Sequence, residues 1–244
     1  MVPRCAIHSA LKHAVMMRLL SSNAADFVTP PRVMRTEMKF LDEKESAAML
    51  RAAEGTSLYM ALMLALGTGM RRGEMLGLRW SDVDLDSAAL TVNQTLQEAY
   101  GKIIFKEPKT TRSRRRITLP GVVVSALRVH RAEQAKKTLA RKPNWTDSEF
   151  VLAAPRGGPW RPSNFDTIWR RFKTKQGLVI RFHDLRHTHA TQLLKAGVHP
   201  KVVSERLGHA SIGITLDTYS HVMPGMQEEA AEKIDAGLRA ALAS

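Results

Sequence analysis

Four short segments of the 244-residue chain hold residue types that could do chemistry: TGMRRGEMLGLRW at 68–80, KEPKTTRSRRR at 106–116, HDLRHTHATQLLKAG at 183–197 and RLGHASIGITLDTYSHV at 206–222. In the third, His183 and Arg186 are three residues apart on a predicted helix, so one face carries both and can turn them on one small anion. Together they offer a proton donor beside a guanidinium fork. In the fourth, a Leu207-Gly208-His209 turn follows a helix, and Tyr219 comes ten residues after it, ahead of a second histidine, His221. A tyrosine and histidines near arginines point to phosphoryl chemistry.

Taken singly, each residue has a plainer use. Arg71 and Arg72 could be charges that complement a helix C-terminus, and Glu74 could simply pair with either. A lone histidine such as His209 serves a turn or a core, and a lone tyrosine packs. The run 102–116 reads as a charged hairpin bearing Lys102, Lys106, Lys109, Arg112, Arg114, Arg115 and Arg116. A charge run is ordinarily a solvated face, but a strand-turn-strand element near a buried helix that delivers Arg71 is better read as contacting phosphates. His183 and His187 also stand at the i, i+4 spacing of a zinc helix. There Asp184 replaces the usual glutamate, Arg186 would set a cation beside the metal face, and Lys109 and Tyr219 would have no use.

The elements that must position these residues follow from periodicity and punctuation. Leu11, Ala14, Val15 and Leu19 have helical spacing in 8–20, before a Thr29-Pro30-Pro31 linker. Asp42 with Glu45 forms a capping box opening a helix that stops at Gly55. Residues 58–66, LYMALMLAL, are apolar on every face, which predicts a buried central helix ended by Gly67 and Gly69 and releasing Arg71 at its end. Alternation in 89–92, 103–105 and 116–119 predicts one small antiparallel sheet. Helical periodicity returns at 122–140, 163–175, 183–196, 200–207 and 226–242. The fold class expected is α+β: a mainly helical domain with a small antiparallel sheet.

Composition sets the outer bounds. Lys plus Arg outnumber Asp plus Glu by 37 to 23, giving a formal charge of +14 and a pI near 10.3, so an anionic partner is expected, nucleic acid before membrane. The sequence contains no apolar run of spanning length and no signal peptide, which leads to an expected cytoplasmic location. The single Cys5 cannot form an internal disulfide and is given no role. The twelve methionines read as core filler rather than a cofactor box.

Taken in order, the arginine after a Thr-Gly turn, the hairpin lysine, His-x-x-Arg, Leu-Gly-His and the late tyrosine resemble the tyrosine recombinase (phage integrase) family over roughly 36–222. The resemblance implies that Arg71, Lys109, His183, Arg186 and His209 activate a phosphate, that Tyr219 is the nucleophile, and that Glu74 supports them. The residue types suit those roles. Two guanidinium forks, Arg71 and Arg186, can bind the nonbridging oxygens of an attacked phosphodiester. A phenol is a poor nucleophile at neutral pH, but cations favour its ionised form and His183 can take its proton. Lys109 could protonate the departing 5′ oxygen, and His209 could donate a hydrogen bond to the phosphate. A 3′-phosphotyrosine stores the broken bond, so no cofactor and no metal is expected.

The family pattern further implies double-stranded DNA as partner and a homotetramer on it, with no membrane partner; an accessory DNA-bending protein is admitted without anything in the sequence to specify it. Residues 1–35 resemble the last helix and linker of a core-binding domain, residues 36–224 the catalytic domain, and 225–244 a terminal helix that could dock on a neighbouring protomer. The chain is thus expected to be a C-terminal portion lacking most of the core-binding domain. The alternatives are a DNA-binding protein without recombination activity (a decayed integrase) and a zinc metallohydrolase. His187, His189 and His221 receive no catalytic role.

Overall fold

The structure is a computed structural model that describes residues 4–29, 39–107, 114–140, 149–220 and 226–242. It divides into two units, residues 1–37 and 38–244. In the first, helix α1 (Arg4–Met16) precedes a 3-10 turn, Ala24–Phe27, begun by Asn23, whose side chain accepts from the Ala25 amide. The Asn23 side-chain amide donates back to the His8 carbonyl at 3.2 Å, and His8 Nε2 lies 2.6 Å from Asp26 Oδ1. A short helix with so small an apolar face is thus held by polar clasps rather than by a core.

The second unit is built around one helix. Asp42 and Glu45 form the expected reciprocal cap, Asp42 Oδ1 accepting from the Glu45 amide at 2.7 Å and Glu45 Oε2 from the Asp42 amide at 2.9 Å, and α2 (Glu43–Ala53) follows. The wholly apolar stretch becomes α3 (Tyr59–Thr68), buried from Met60 to Ala65 and again at Thr68. It packs against α2 and against three later helices: α4 (Arg72–Leu76), α5 (Gly121–Ala140) and α7 (Asp184–Lys195). Because α3 has no polar face, neighbours must cover it on all sides, which draws distant segments to its C-terminal end. Gly69 ends it in the left-handed conformation (φ 67°), and a Cβ there would lie 2.6 Å from both His189 Cδ2 and Leu207 Cδ2. No other residue meets both demands.

The strands form two sheets instead of the single one expected. Strands β1 (Val83–Asp84), β2 (Ala89–Val92) and β5 (Arg115–Thr118) pair antiparallel in the order β1-β2-β5, with Leu90 opposite Ile117 in the core. Strands β3 (Thr95–Ala99) and β4 (Lys102–Lys106) pair with each other. Tyr100 and Gly101, both at positive φ (52° and 70°), close that hairpin in the manner of a two-residue turn. β3 carries a single fully buried side chain, Leu96, and so left too faint an alternation to be read. The supposed charged hairpin 102–116 is therefore not one element, since β4 and β5 belong to different sheets; its connecting residues, Lys109 and Arg112 among them, lie outside the described residues.

Helix α6 (Pro162–Lys175) begins on Pro162 and buries Phe165, Trp169 and Phe172. Phe182 meets Phe165 and Trp169 edge-on at 4.8 and 5.4 Å between ring centres, and it immediately precedes His183. The aromatic cluster thereby fixes where α7 starts. α8 (Pro200–Leu207) and α9 (Ile212–Tyr219) complete the fold, and Ala190, Leu194, Val203, Leu207 and the Tyr219 ring form a second small core between them and α7. Burying each larger side chain contributes about 1.5–3 kcal/mol. α10 (Met226–Leu242) forms as expected, with Ile234, Leu238 and Leu242 exposed. No helix among the described residues is long and apolar enough to cross a membrane.

Candidate active site

The ends of α3, α7, α8 and α9 converge on a cleft of about 500 Å³ lined by Arg71, His183, Arg186, His187, His209 and Tyr219, with the Gly208-Ala210 turn at its edge. Each residue arrives there for a local reason. Arg71 is the extended residue between the glycine stop of α3 and the start of α4, where its amide donates to Glu74 Oε2 at 2.9 Å and its Nη1 donates to Glu74 Oε1 at 2.9 Å. His183 stands just before α7, its side chain making no capping hydrogen bond, and Arg186 is one turn further in. His209 follows Gly208, which ends α8 in the left-handed conformation (φ 68°), and its Nδ1 is 2.8 Å from the buried Thr215 Oγ1. That bond leaves the other ring nitrogen, Nε2, for the cleft.

Arg186 is fixed by backbone. Its Nη1 donates to the Gly69 carbonyl at 2.7 Å and its Nη2 to the Leu207 carbonyl at 2.6 Å, the two carbonyls at the ends of α3 and α8. A guanidinium has five N–H donors, so donors remain for a ligand in the cleft. Only 4 % of the residue is exposed, and burial together with the nearby Arg71 lowers its pKa to about 9. It remains a cation at neutral pH, and among the described residues no carboxylate forms an ion pair with it.

Glu74 organises the other side. Its two oxygens take Arg71 and also Arg115, which donates from Nη1 to Oε1 at 3.2 Å and from Nη2 to Oε2 at 2.7 Å. Burial alone would raise the carboxyl, but hydrogen bonding and charge from Arg115 and then Arg71 outweigh it and hold the pKa at about 2. Arg115 was placed by its sequence context among the DNA-contacting residues; it is instead 8 % exposed, its guanidinium on Glu74 and its Nε on the Arg206 carbonyl at 2.8 Å. The cause is the pleat: on β5 the side chains of Arg115 and Ile117 point inward while Arg116 and Thr118 point out. Lys102, Lys106, Arg114 and Arg116 are exposed.

Tyr219 is the last residue of α9 and 2 % exposed, its ring in the small core and its hydroxyl 2.7 Å from Nδ1 of His187. Burial pushes the phenol up to about 12, against the opposing pull of Arg186. Burial also lowers His183, His187 and His209, with neighbouring cations or rings adding to it; His187 and His209 come to about 4. The His187 and His209 rings are neutral at pH 7.

The structure therefore brings together Arg71, Glu74, His183, Arg186, His209 and Tyr219. Sequence reasoning gave His187 no catalytic role, although its position four residues beyond His183 put the two on one helix face; that spacing was weighed only as a zinc pair and set aside. It also passed over the tie formed by His189 and Arg206. Arg206 Nε donates to His189 Nε2 at 3.1 Å, its Nη2 to the Gly67 carbonyl at 2.8 Å, and His189 Nδ1 meets the Leu66 carbonyl at 2.6 Å. Among the described residues no three His, Cys, Asp or Glu side chains form a group that could hold a metal ion.

Residues 39–225 match the phage integrase family. A tyrosine recombinase XerC-like protein of Caldanaerobacter subterraneus is 32 % identical over 220 residues, covering 85 % of this chain and 56 % of that protein. The ICEBs1 integrase of Bacillus subtilis is 30 % identical over 226 residues, 91 % of this chain and 61 % of that one. This chain thus spans somewhat more than half the length of the curated relatives it matches. In fold it is similar to the Tn1549 transposon integrase (residues 82–397) solved with circular intermediate DNA, with a TM-score of 0.75 at 22 % identity over 95 % of this chain and 78 % of that one. With the family matched across most of its length, the chain belongs to the phage integrase family, the tyrosine recombinases.

Proposed function

We propose that this chain is the strand-cleaving part of a site-specific DNA recombinase, which breaks and rejoins DNA through a 3′-phosphotyrosyl bond on Tyr219. The observation that carries the reading is the convergence of Arg71, His183, Arg186, His209 and Tyr219 on one cleft. Arg71 and Arg186 bind the nonbridging oxygens of the scissile phosphate, where charge grows as the tyrosine attacks. His183 and the Nε2 of His209 add hydrogen bonds to the same oxygens. Glu74, with Arg115 behind it, holds Arg71 in place before DNA arrives, so the site need not reorganise during the reaction. Lys109 supplies the proton for the departing 5′ oxygen. The energy of the broken bond is kept in the phosphotyrosine, so a 5′ hydroxyl of a second strand can reverse the step with no cofactor.

Double-stranded DNA is the proposed partner, in keeping with the charge of +14, and the working assembly is a homotetramer. The exposed Ile234, Leu238 and Leu242 on α10 support its docking on a neighbouring protomer. Removal of α10 is then expected to reduce cooperative assembly on DNA more than cleavage at a single site, measured by gel shift and by adduct yield.

The test is covalent trapping. A nicked suicide duplex carrying the core site is expected to give a denaturation-resistant protein–DNA adduct in the presence of chelator. Tyr219→Phe should abolish the adduct and leave binding intact. An adduct that persists in that variant defeats the assignment; binding without any adduct favours a DNA-binding protein, and full dependence on added zinc a metallohydrolase.

A further inference from the structure

The role of proton acceptor for Tyr219 fell to His183 on family resemblance, yet the two histidines stand differently toward the hydroxyl. Among the described residues no hydrogen bond joins His183 to Tyr219; His183 meets His187 edge-on, ring centres 5.3 Å apart. His187 Nδ1 lies 2.7 Å from Tyr219 Oη. The contact is built from both sides. His187 is three residues into α7, behind the Phe182 cluster that sets the start of the helix, and Tyr219 is pinned by its ring between α7, α8 and α9. Neither side chain is free to seek another partner without leaving its packing.

We infer that His187 is a further catalytic residue, whose Nδ1 orients the Tyr219 hydroxyl and receives its proton during cleavage. The inference rests on Tyr219 being the nucleophile. A neutral imidazole has one N–H and one lone pair. In the proposed arrangement the neutral phenol donates across the 2.7 Å contact and Nδ1 accepts, with the ring hydrogen on Nε2. Its neutrality at pH 7 is what leaves Nδ1 able to accept. The charged and titratable groups around it are His183, Asp184, Arg186 and Arg181 along its own stretch of chain, with Tyr219 and His209 from the facing elements; burial and His183 lower it most, and Asp184 opposes them. A phosphate seated on Arg71 and Arg186 offsets the cations and moves His187 upward, toward the range in which a general base works.

The step balances within the site. Tyr219 Oη bonds to phosphorus as its O–H bond breaks, and the proton passes to Nδ1, leaving His187 a cation. The P–O5′ bond breaks and the 5′ oxygen takes a proton from Lys109. On resealing, the attacking 5′ hydroxyl returns its proton to Lys109, and Nδ1 returns its own to the departing phenolate.

Two readouts test this on the full chain. Nitrogen NMR of histidine-labelled protein should show His187 at neutral pH with Nδ1 bare and Nε2 protonated; an Nδ1–H tautomer overturns the proposal. In single-turnover trapping, His187→Ala should slow adduct formation by about a hundredfold at unchanged DNA affinity. His187→Asn, which puts an amide oxygen near the place of Nδ1 but cannot hold the proton, should remain slow. A substrate with sulfur as the 5′ bridging atom, whose leaving group needs no proton, should rescue Lys109→Ala and leave His187→Ala slow. Rescue of His187→Ala, or near wild-type rates in both His187 variants, overturns the proposal while sparing Tyr219. No adduct from the unaltered chain instead sinks the strand-transfer reading, and this inference with it. Near-ultraviolet circular dichroism of each variant separates a lost fold from a lost proton acceptor.

Discussion

The Glu74 carboxylate grips Arg115 with both oxygens, at 3.2 and 2.7 Å, and both residues are buried. A buried pair of this kind contributes less to net stability than its geometry suggests, because each charge was costly to desolvate. Breaking it is another matter. Glu74→Gln leaves Arg115 a buried cation without a counter-charge and deprives Arg71 of its anchor. Destabilisation of about 3–5 kcal/mol is expected from urea unfolding, together with loss of adduct formation in whatever fraction still folds. A stability change within about 0.5 kcal/mol would show that the pair is not the clamp described.

Gly208 makes a separate demand. A Cβ there would lie 2.9 Å from Arg115 Nη1 and 3.0 Å from its Cδ, at a φ of 68° that alanine resists. Gly208→Ala should cost about 1–3 kcal/mol and push Arg115 off Glu74, so that adduct formation falls more steeply than stability. The comparison is a melting curve beside a trapping assay. Gly177→Ala serves as control: it shares the positive φ (66°), but no atom lies near its would-be Cβ.

Acid should loosen the fold in a window set by histidines. His187, His189 and His209 come to about 4 when folded, against an ordinary 6.5. A depressed pKa means that the unfolded chain takes up protons first as pH falls. Stability is therefore full above pH 6.5 and drains away toward pH 4. His189 contributes a specific cause, because Arg206 Nε donates to its Nε2, and a proton on that nitrogen would set donor against donor. Urea midpoints should hold from pH 7.5 to about 6.5 and fall from there to 4.5; a profile that stays flat from 6.5 to 4.5 contradicts the argument. Glu74 adds its own loss only lower, as pH drops from 4.5 toward 2.

Salt separates the exposed Arg114 and Arg116 from the buried Arg115 between them. Arg114→Ala with Arg116→Ala should weaken binding evenly across DNA sequences and lower the slope of log affinity against log salt by about two. Arg115→Ala should leave that slope unchanged and damage the fold and the adduct yield instead. Titration by fluorescence anisotropy at several salt concentrations distinguishes the two patterns; a reduced slope for Arg115→Ala would return it to the DNA-facing group.

Much of this is legible in the amino-acid sequence. An apolar stretch such as 58–66 admits one interpretation, a buried helix, and Asp42 with Glu45 marks a helix start by stereochemistry alone. Five residues of the candidate site, Arg71, His183, Arg186, His209 and Tyr219, were legible because their order along the chain matches a family, though none would have stood by itself. The misses share a cause. Arg115 differs from Arg114 and Arg116 only in which side of β5 it takes, and that depends on the pairing of β2 with β5, a long-range fact. β3 was hidden because it buries only Leu96 fully. His187 could be placed on the right helix face, yet its meeting with Tyr219 depends on how α9 packs against α7, which no local spacing encodes.

Arg186 is tied to the carbonyls of Gly69 and Leu207, and Tyr219 follows every other residue of the cleft in chain order. During synthesis the phosphate-binding half can begin to assemble while the reactive hydroxyl is still to come, and Arg186 cannot take its final position until α8 has been made. The hydroxyl is seated only when α9 packs onto α7 and α8. A chain in which α9 has not yet packed onto α7 and α8 therefore lacks the seated hydroxyl on which the proposed cleavage depends.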